Sequence, residues 1–207
     1  MNKSRLESFS DGVFSIVMTL LIFDIKVPDL ALPVTNDSLS QAIVGVMPLL
    51  GVYFLSFAVL STLWINHHYL FHQFVRTVDR RLNILNLAYL MFVAFVPFSA
   101  NVIGRYPEFQ AAAIIYGLNV IIIVAISTAM MGYIKSHTEI MNPTLPQRTI
   151  NQARFRADLS LTSYMLGLVL SFFYVHGSLF FFAFPIIFNI IPGTLDFTER
   201  LFRFSLD

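Results

Sequence analysis

Long stretches without charged side chains constrain this chain more than any other feature. Residues 38–75, 82–104, 109–134 and 159–195 contain no Asp, Glu, Lys or Arg. A helix needs about 20 mostly apolar residues to cross a bilayer. Only 12% of all residues are charged, against about 25% in a typical soluble domain. The sequence therefore predicts an integral membrane protein that lies in a lipid bilayer.

Turn residues and charged clusters divide the apolar stretches into six predicted helices. These helices span residues 6–27, 41–69, 82–103, 109–134, 157–175 and 179–191, and a charged tail follows from residue 192. The alternating segments of roughly 10 residues that are typical of a transmembrane β-barrel do not occur. We expect an all-α, polytopic protein. Because no internal repeat is visible, residues 1–207 are predicted to form a single six-helix domain.

The distribution of Lys and Arg predicts the orientation of the helices. With the N-terminus in the cytoplasm, eleven of the 13 Lys and Arg residues fall in cytoplasmic segments, and only Lys26 and Arg105 fall outside. This asymmetry follows the positive-inside rule and predicts that both termini are cytoplasmic. The basic N-terminus is similar to a secretory signal, but Glu7 and Asp11 interrupt it and no small-residue cleavage site follows. We expect a retained first helix.

Composition and missing motifs exclude several classes of function. The net charge of +1 offers no electrostatic basis for nucleic-acid binding. The absence of cysteine excludes disulfides, thiolate metal sites and cysteine catalysis. His68 and His72 have the spacing of a metal-ligand pair, but no third ligand is evident. No hydrolase, metalloprotease or nucleotide-binding motif occurs, so we predict neither an enzyme nor a bound cofactor or metal.

The first predicted helix has a polar start, in the segment RLESFSDGVFSIVMTLLIFDIKVP. A charged side chain at the edge of a membrane usually has a partner or a function. Trp64 and His67 share one face of the second helix at a comparable depth. One interpretation is that Asp11 bonds to one of them, together with Arg5. The alternative is that Asp11 complements the positive N-terminus of its helix among lipid headgroups.

A stripe of residues follows the first helix at 100° per residue. It comprises Phe9, Gly12, Ile16, Leu20 and Phe23, with Thr19 at its edge. Asp11 points about 140° away from Ile16 on the same helical wheel. The polar start and the stripe therefore face different neighbours. Periodicity alone leaves two alternatives for the stripe, since such a face either packs against lipid and other helices or lines a pore.

Three segments of the sequence resemble the transmembrane protein 175 family. They are the motif Arg5-x-x-x-Phe9-Ser10-Asp11, the pair Trp64-x-x-His67 and the stretch NLAYLMFVAFVPF. Members of this family are potassium channels of endosomes and lysosomes in animals, with six-helix relatives in bacteria and archaea. The predicted helix count and topology agree with that family.

The resemblance implies a homotetramer in which the first helix of each subunit lines a central pore. The family's apolar constriction aligns with Ile16, and further rings align with Leu20 and Phe23. A hydroxyl ring aligns with Thr19, so Thr19 and Ile16 are the residues expected to meet the permeant potassium ion. Phe23 departs from the family because it is bulkier than the aliphatic residue usual at that position.

The resemblance also implies that the motif residues form a polar network between helices instead of lining the pore. The expected members are Arg5, Phe9, Ser10, Asp11, Trp64 and His67. We hypothesise that this network fixes the rotation of the first helix and thereby directs Ile16 towards the four-fold axis.

These observations together predict a potassium-permeable cation channel with weak selectivity for potassium over sodium. Its expected partners are copies of itself, the lipid bilayer and permeant monovalent cations, in the plasma membrane of a prokaryote. A proton-permeable channel is one alternative. A secondary transporter is another, because Pro48, Pro97 and Pro185 could break helices, although no charged residue accompanies them at the membrane midplane.

Overall fold

The computed structural model describes residues 2–30 and 32–190, and within these the protein folds as a helical bundle. The helices are α1 (Lys3–Leu20), α2 (Asn36–Gly45), α3 (Met47–Tyr69), α4 (Arg80–Ala94), α5 (Val96–Arg105), α6 (Gln110–Ser136), α7 (Gln147–Ser171) and α8 (Val175–Ile190). A 3-10 turn continues α1, and a π turn continues α3. The all-α prediction is confirmed. The predicted tail from residue 192 lies outside the described residues.

Prolines break two of the predicted helices. The predicted second helix consists of α2 and α3, which meet at Val46, and the predicted third helix consists of α4 and α5, which meet at Phe95. Pro48 and Pro97 each follow the break by two residues. Proline has no amide hydrogen, and its ring clashes with the carbonyl four residues earlier. The chain therefore ends one helix and begins the next instead of continuing a single straight helix.

Within residues 2–30 and 32–190, four segments are long and apolar enough to cross a membrane. They are Lys3–Asp24, Asn36–Phe74, Arg80–Arg105 and Gln110–Ser136. The last two predicted helices differ from them. The apolar helix Val175–Asn189 is shorter, and α7 begins at Gln147 instead of residue 157. The predicted start of the fifth helix was wrong because the polar stretch QRTINQARFR contains good helix formers and no glycine or proline.

Polar side chains cap the starts of three helices. The side chain of Asn2 accepts a hydrogen bond from the amide of Ser4, so α1 begins earlier than predicted. Asp79 accepts from the amide of Leu82 at 2.8 Å and caps α4. At α2, Thr35 and its partner three residues later form a reciprocal capping box. Each cap satisfies amides that have no partner within their own helix.

Backbone hydrogen bonds tie two loops together at one end of the bundle. The amide of Arg76 donates to the carbonyl of Ile140 at 2.7 Å, and the amide of Asn142 donates to the carbonyl of Phe74 at 2.8 Å. The ammonium of Lys3 lies at the same end, where it donates to the carbonyl of Val75. We call this the N-terminal end of the bundle. The start of α1, the end of α3 and the end of α6 meet there.

Candidate functional site

The helix α1 has one buried face and one exposed face. Its most buried residues are Leu6, Ser10, Phe14 and Val17, and Leu21 continues the same face into the 3-10 turn. The exposed large apolar residues of this segment are Phe9 (54% exposed), Ile16 (61%), Leu20 (44%), Ile22 (46%) and Phe23 (68%). The stripe predicted from the sequence thus lies on the side of α1 that no other described part of the chain covers.

Hydroxyl groups accompany the stripe. Thr19 and Ser15 are both exposed. The Thr19 hydroxyl donates to the carbonyls of Ser15 and Ile16 at 3.0 and 2.8 Å, and the Ser15 hydroxyl donates to the carbonyl of Asp11 at 2.8 Å. Because each hydroxyl has one hydrogen, its oxygen is left as an acceptor for a further group. Ser15 was missed from the sequence, although its position four residues before Thr19 indicates the same face.

Asp11 is held by the indole of Trp64. The Trp64 Nε1–H donates to Asp11 Oδ1 at 2.9 Å, which joins α1 to α3. Of the two partners considered from the sequence, the structure therefore brings Trp64 to Asp11. The Trp64 ring also stacks on His68, with ring centroids 5.8 Å apart.

Ser10, Asn86 and His67 form a buried chain of hydrogen bonds across α1, α4 and α3. Asn86 Nδ2 donates to Ser10 Oγ at 3.1 Å, and Asn86 Oδ1 lies 2.7 Å from His67 Nε2. Ser10 in turn donates to the carbonyl of Leu6. Asn86 lay outside the six predicted members of the network, although the sequence had suggested it as a further one. The available signal was an uncharged polar residue inside an apolar helix, which usually bonds to a neighbouring helix.

Aromatic side chains pack around this series of hydrogen bonds. The His67 ring stacks on the Tyr89 ring at 5.2 Å between centroids, and Phe14 of α1 lies 6.0 Å from His67 and 6.1 Å from Tyr89. The Tyr89 hydroxyl donates to the carbonyl of Leu63 at 3.1 Å. The polar contacts of α1 are therefore enclosed by well-packed rings, which favour one rotation of the helix.

Lys3 supplies a second attachment of α1 that the sequence did not predict. Its ammonium donates to the carbonyl of Val75 at 2.8 Å and to that of His72 at 3.4 Å, and it lies 3.8 Å from Glu7. The bond to Val75 ties the start of α1 to the loop before α4. A lysine in a short polar N-terminus carries no sequence signal for such a contact.

Arg5 and Phe9 are both exposed in the single chain. Among the described residues, the side chain of Arg5 has neither a hydrogen bond nor an ion pair. Within one subunit, the structure thus brings together Ser10, Asp11, Trp64 and His67, but not Arg5 or Phe9.

His68 and His72 stack face to face with centroids 5.6 Å apart, and no group of three His, Cys, Asp or Glu residues is found among the residues described.

At the N-terminal end of the bundle, the structure shifts the pKa of the Asp79 carboxyl group. Partial burial raises the pKa of Asp79, but hydrogen bonds from the Tyr133 hydroxyl at 2.5 Å and from the Leu82 amide together outweigh it. The pKa of this carboxyl therefore lies below its ordinary value of 3.8.

Comparison with known proteins places these features in a family. The family model described as endosomal/lysosomal potassium channel TMEM175 matches residues 5–97, a range that contains the stripe and the network. A protein from Streptomyces collinus named as a potassium channel is 35% identical over 177 residues, which are 83% of this chain and 84% of that protein. This chain belongs to the TMEM175 family. It is therefore a multi-pass membrane protein of an ion-channel family and not an enzyme.

Other TMEM175 proteins share the fold or part of the sequence. The crystal structure of a lysosomal potassium-selective channel TMEM175 homolog from Chamaesiphon minutus superposes with a TM-score of 0.79 and 26% identity, covering 90% of this chain and 95% of that one. The human endosomal/lysosomal proton channel TMEM175 is 27% identical over 166 residues, which are 80% of this chain and 31% of the human protein.

Proposed function

We propose that this chain is one subunit of a potassium-permeable cation channel in which α1 from four copies lines the pore. The observation that carries the proposal is the exposed stripe on α1, opposite a face that is buried and hydrogen-bonded. One such helix cannot surround a pore, so several copies must contribute. The Streptomyces relative is named as a potassium channel and the Chamaesiphon protein as a potassium-selective one, which supports potassium as the permeant ion.

Ile16 forms the narrowest ring of the proposed pore. Four isoleucine side chains around an axis make an apolar constriction that gates by dewetting, without a physical plug. Leu20 and Phe23 form further apolar rings beyond it. The channel opens when α1 moves or rotates far enough for water to enter the constriction.

Thr19 supports a weak preference for potassium. Its hydroxyl hydrogen is directed at backbone carbonyls, so four Thr19 oxygens are available as partial ligands next to the constriction. Apolar side chains cannot replace the hydration shell of an ion as a ring of carbonyls does. Potassium loses its hydration shell more easily than sodium, so a narrow pore with weak ligands favours it modestly.

The network behind α1 sets its rotation in this proposal. Asp11 contacts Trp64 and Ser10 contacts Asn86 on the side that faces away from the stripe. These residues position Ile16 without touching the ion. We further propose that both termini are cytoplasmic and that the channel lies in a prokaryotic plasma membrane, in accord with the distribution of Lys and Arg.

The reversal potential in planar bilayers tests the function. The purified protein is reconstituted with potassium on one side and sodium on the other. We expect unitary current steps and a reversal potential displaced towards the potassium equilibrium potential. A flux without unitary steps that saturates with one solute would instead identify a transporter.

Ile16→Asn tests the constriction. The amide lowers the barrier to water, so we expect a conductance several-fold larger and a reversal potential closer to zero under the same gradients. Leu166→Asn is the matched control, because Leu166 is similarly exposed but lies on α7. An unchanged current from Ile16→Asn would remove Ile16 from the pore.

A proton-permeable channel is the second candidate. The human relative is named as a proton channel, and a chain of water through the same pore could carry protons. With equal potassium and sodium on both sides and a pH gradient across the bilayer, a reversal potential that follows the proton gradient would identify this activity.

A further inference from the structure

A cavity of about 270 Å³ lies between α3, α4, α6, α7 and α8, in the half of the bundle nearer the N-terminal end. No described residue of α1 lines it, so it is separate from the proposed pore. Along α7 it extends from Thr149 to Tyr164, which at 1.5 Å per residue is about 22 Å. The cavity is therefore long and narrow.

The cavity wall has apolar and polar parts. Apolar side chains come from Leu63 on α3, Leu70 in the π turn that follows it, Val124 and Met131 on α6, and Ala153 on α7. Uncharged polar side chains lie among them, including Ser127, Gln152 and Tyr164. A wall of this kind suits a ligand with an apolar body and a small polar group.

Several of these polar side chains have no hydrogen-bond partner among the described residues. Tyr164 is 1% exposed, and its hydroxyl is unpaired within the part of the chain that the structure describes. The other two fully buried tyrosines are paired: Tyr89 donates to Leu63, and Tyr116 accepts from Ser56 at 3.3 Å. Because Tyr164 lines the cavity and a hydroxyl can both donate and accept a hydrogen bond, its hydroxyl marks where a ligand's polar group would bind.

Charge limits the class of ligand. The charged residue lining the described cavity is Arg156, which lies about two helical turns from Tyr164 towards the N-terminal end. The other polar side chains of the lining, among them Ser127, Ser160 and Tyr164, are uncharged. A charged ligand at that depth would be costly to bury, so the polar group of the ligand should be uncharged.

We propose that this cavity binds an uncharged, hydroxyl-bearing amphiphile of the size of a small alkylphenol. An apolar cavity of about 150 Å³ holds benzene, and the volume here is large enough for a ring with a short alkyl chain and a hydroxyl group. The ligand hydroxyl pairs with the Tyr164 hydroxyl. The ring and the alkyl chain contact Leu63, Val124 and Met131.

The site adjoins the network that supports α1. Leu63 and Tyr89 line the cavity, and the Tyr89 ring stacks on His67. A bound ligand therefore contacts side chains that touch the network. This part of the inference, that occupancy alters the channel current, rests on the proposed function; the binding itself does not.

Photolabelling tests the binding directly. The full-length protein in lipid nanodiscs is irradiated with a 4-alkylphenol that carries a diazirine in its alkyl chain, and labelled residues are mapped by mass spectrometry. We expect labels on the cavity-lining parts of α3, α6 and α7. 4-Propylphenol should compete with the probe, and propylbenzene, which lacks the hydroxyl, should compete at least tenfold more weakly. Labels only on lipid-facing surfaces, or equal competition by both compounds, would overturn the proposal.

Two variants and a control locate the site. Ala153→Phe fills the cavity and should abolish competable labelling. Tyr164→Phe removes the unpaired hydroxyl and should reduce competition by 4-propylphenol to the level of propylbenzene, with labelling otherwise retained. Tyr106→Phe changes an exposed tyrosine outside the cavity and should behave as wild type. If Ala153→Phe does not fold, the comparison of Tyr164→Phe with wild type is the deciding test. If Tyr164→Phe still bound 4-propylphenol more tightly than propylbenzene by the same factor as wild type, the proposed site would be wrong.

Bilayer currents separate this inference from the proposed function. If the binding site and the channel function are both correct, 4-propylphenol changes the current of the wild-type protein. The concentration required is at least tenfold lower than the concentration that changes the current of Tyr164→Phe. A protein that labels as expected but conducts no ions retains the binding site and loses the channel assignment. Currents that respond equally in both proteins would overturn the coupling.

Discussion

Asn86 joins α4 to two other helices because its amide carries a donor and an acceptor. Its nitrogen donates to Ser10, whose own hydrogen is donated to the carbonyl of Leu6. Its oxygen therefore accepts, and His67 donates from Nε2 as the tautomer that carries the proton there. Each polar group in this series of hydrogen bonds acts either as a donor or as an acceptor to one partner. The three side chains therefore specify a single arrangement of the helices.

Replacing Asn86 should destabilise this arrangement. Asn86→Ala leaves the buried His67 Nε2–H without a partner, which costs about 1–3 kcal/mol. We expect a lower unfolding temperature and less assembled protein in size-exclusion chromatography. The reversal potential of channels that still assemble should be unchanged, because Asn86 does not touch the ion.

Asn83→Ala is the matched control for that experiment. Asn83 lies on the same helix, is partly exposed and has no side-chain hydrogen bond among the described residues. If Asn83→Ala and Asn86→Ala lowered the unfolding temperature equally, the chain of hydrogen bonds would have no special role in stability.

Asp79 gives stability at the N-terminal end a defined pH dependence. Its pKa is lower in the folded protein than in the unfolded chain, so its contribution is present above the ordinary value of 3.8 and is lost as pH falls through the folded value. Tyr133→Phe removes one of the hydrogen bonds responsible. We expect this variant to unfold at a lower temperature than wild type at about pH 6, and the difference to shrink as the pH falls through the folded pKa of Asp79.

The control for this titration is Tyr106→Phe, because Tyr106 is exposed and its hydroxyl has no hydrogen bond among the described residues. It should match wild type at every pH. A difference between Tyr133→Phe and wild type that persisted unchanged to low pH would show that the tyrosine acts through packing and not through Asp79.

Close packing of α6, α7 and α8 depends on two glycines around one phenylalanine. A Cβ atom added at Gly167 would lie 2.7 Å from Phe182, and one added at Gly117 would lie 2.8 Å from it. Phe182 is fully buried, so it has little room to move. Small residues at such contacts let membrane helices approach each other closely.

Gly167→Ala should therefore destabilise the contact between α7 and α8. Overpacking of this kind typically costs about 1–3 kcal/mol, and the expected result is a lower unfolding temperature. Gly132→Ala is the control, because a Cβ there meets no atom within 4 Å and alanine favours the helix. Adding Phe182→Leu to Gly167→Ala should recover part of the loss; without such recovery the clash with Phe182 is not the cause.

At the scale of the whole molecule, the exposed stripe on α1 should be covered by copies of the same chain. The natural sequence has no cysteine, so a single introduced thiol reports on proximity without background. In the proposed tetramer, Ile16→Cys places four thiols around the axis. Under mild oxidation we expect a disulfide-linked dimer on a non-reducing gel.

Val169→Cys is the control for cross-linking. Val169 is as exposed as Ile16 in the single chain but lies on α7, away from the proposed axis. A disulfide requires Cα atoms closer than about 7 Å, so Val169→Cys should remain monomeric on the gel. Equal cross-linking of both variants, or none of Ile16→Cys, would contradict an α1-lined pore.

Much of the architecture could be predicted from local patterns. Uncharged stretches indicate helices in a membrane because burying apolar side chains in lipid is favourable wherever they occur along the chain. The segment from Arg5 to Asp11 indicated the family, because all residues of the motif lie close together in the sequence on one helix. The sequence had also indicated that Pro48 and Pro97 could break helices, but the predicted second and third helices were not divided at those positions.

The hydrogen-bond partners on neighbouring helices could be identified only from the three-dimensional arrangement. Asn86 lies 76 residues from Ser10, and Lys3 lies 72 residues from Val75, so no local pattern specifies either contact. Asp11 had two candidate partners at the same depth, and the packing of α1 against α3 selected Trp64. Hydrogen bonds need atoms within about 3 Å in a suitable direction, and helix rotation sets those distances, whereas hydropathy depends on composition alone.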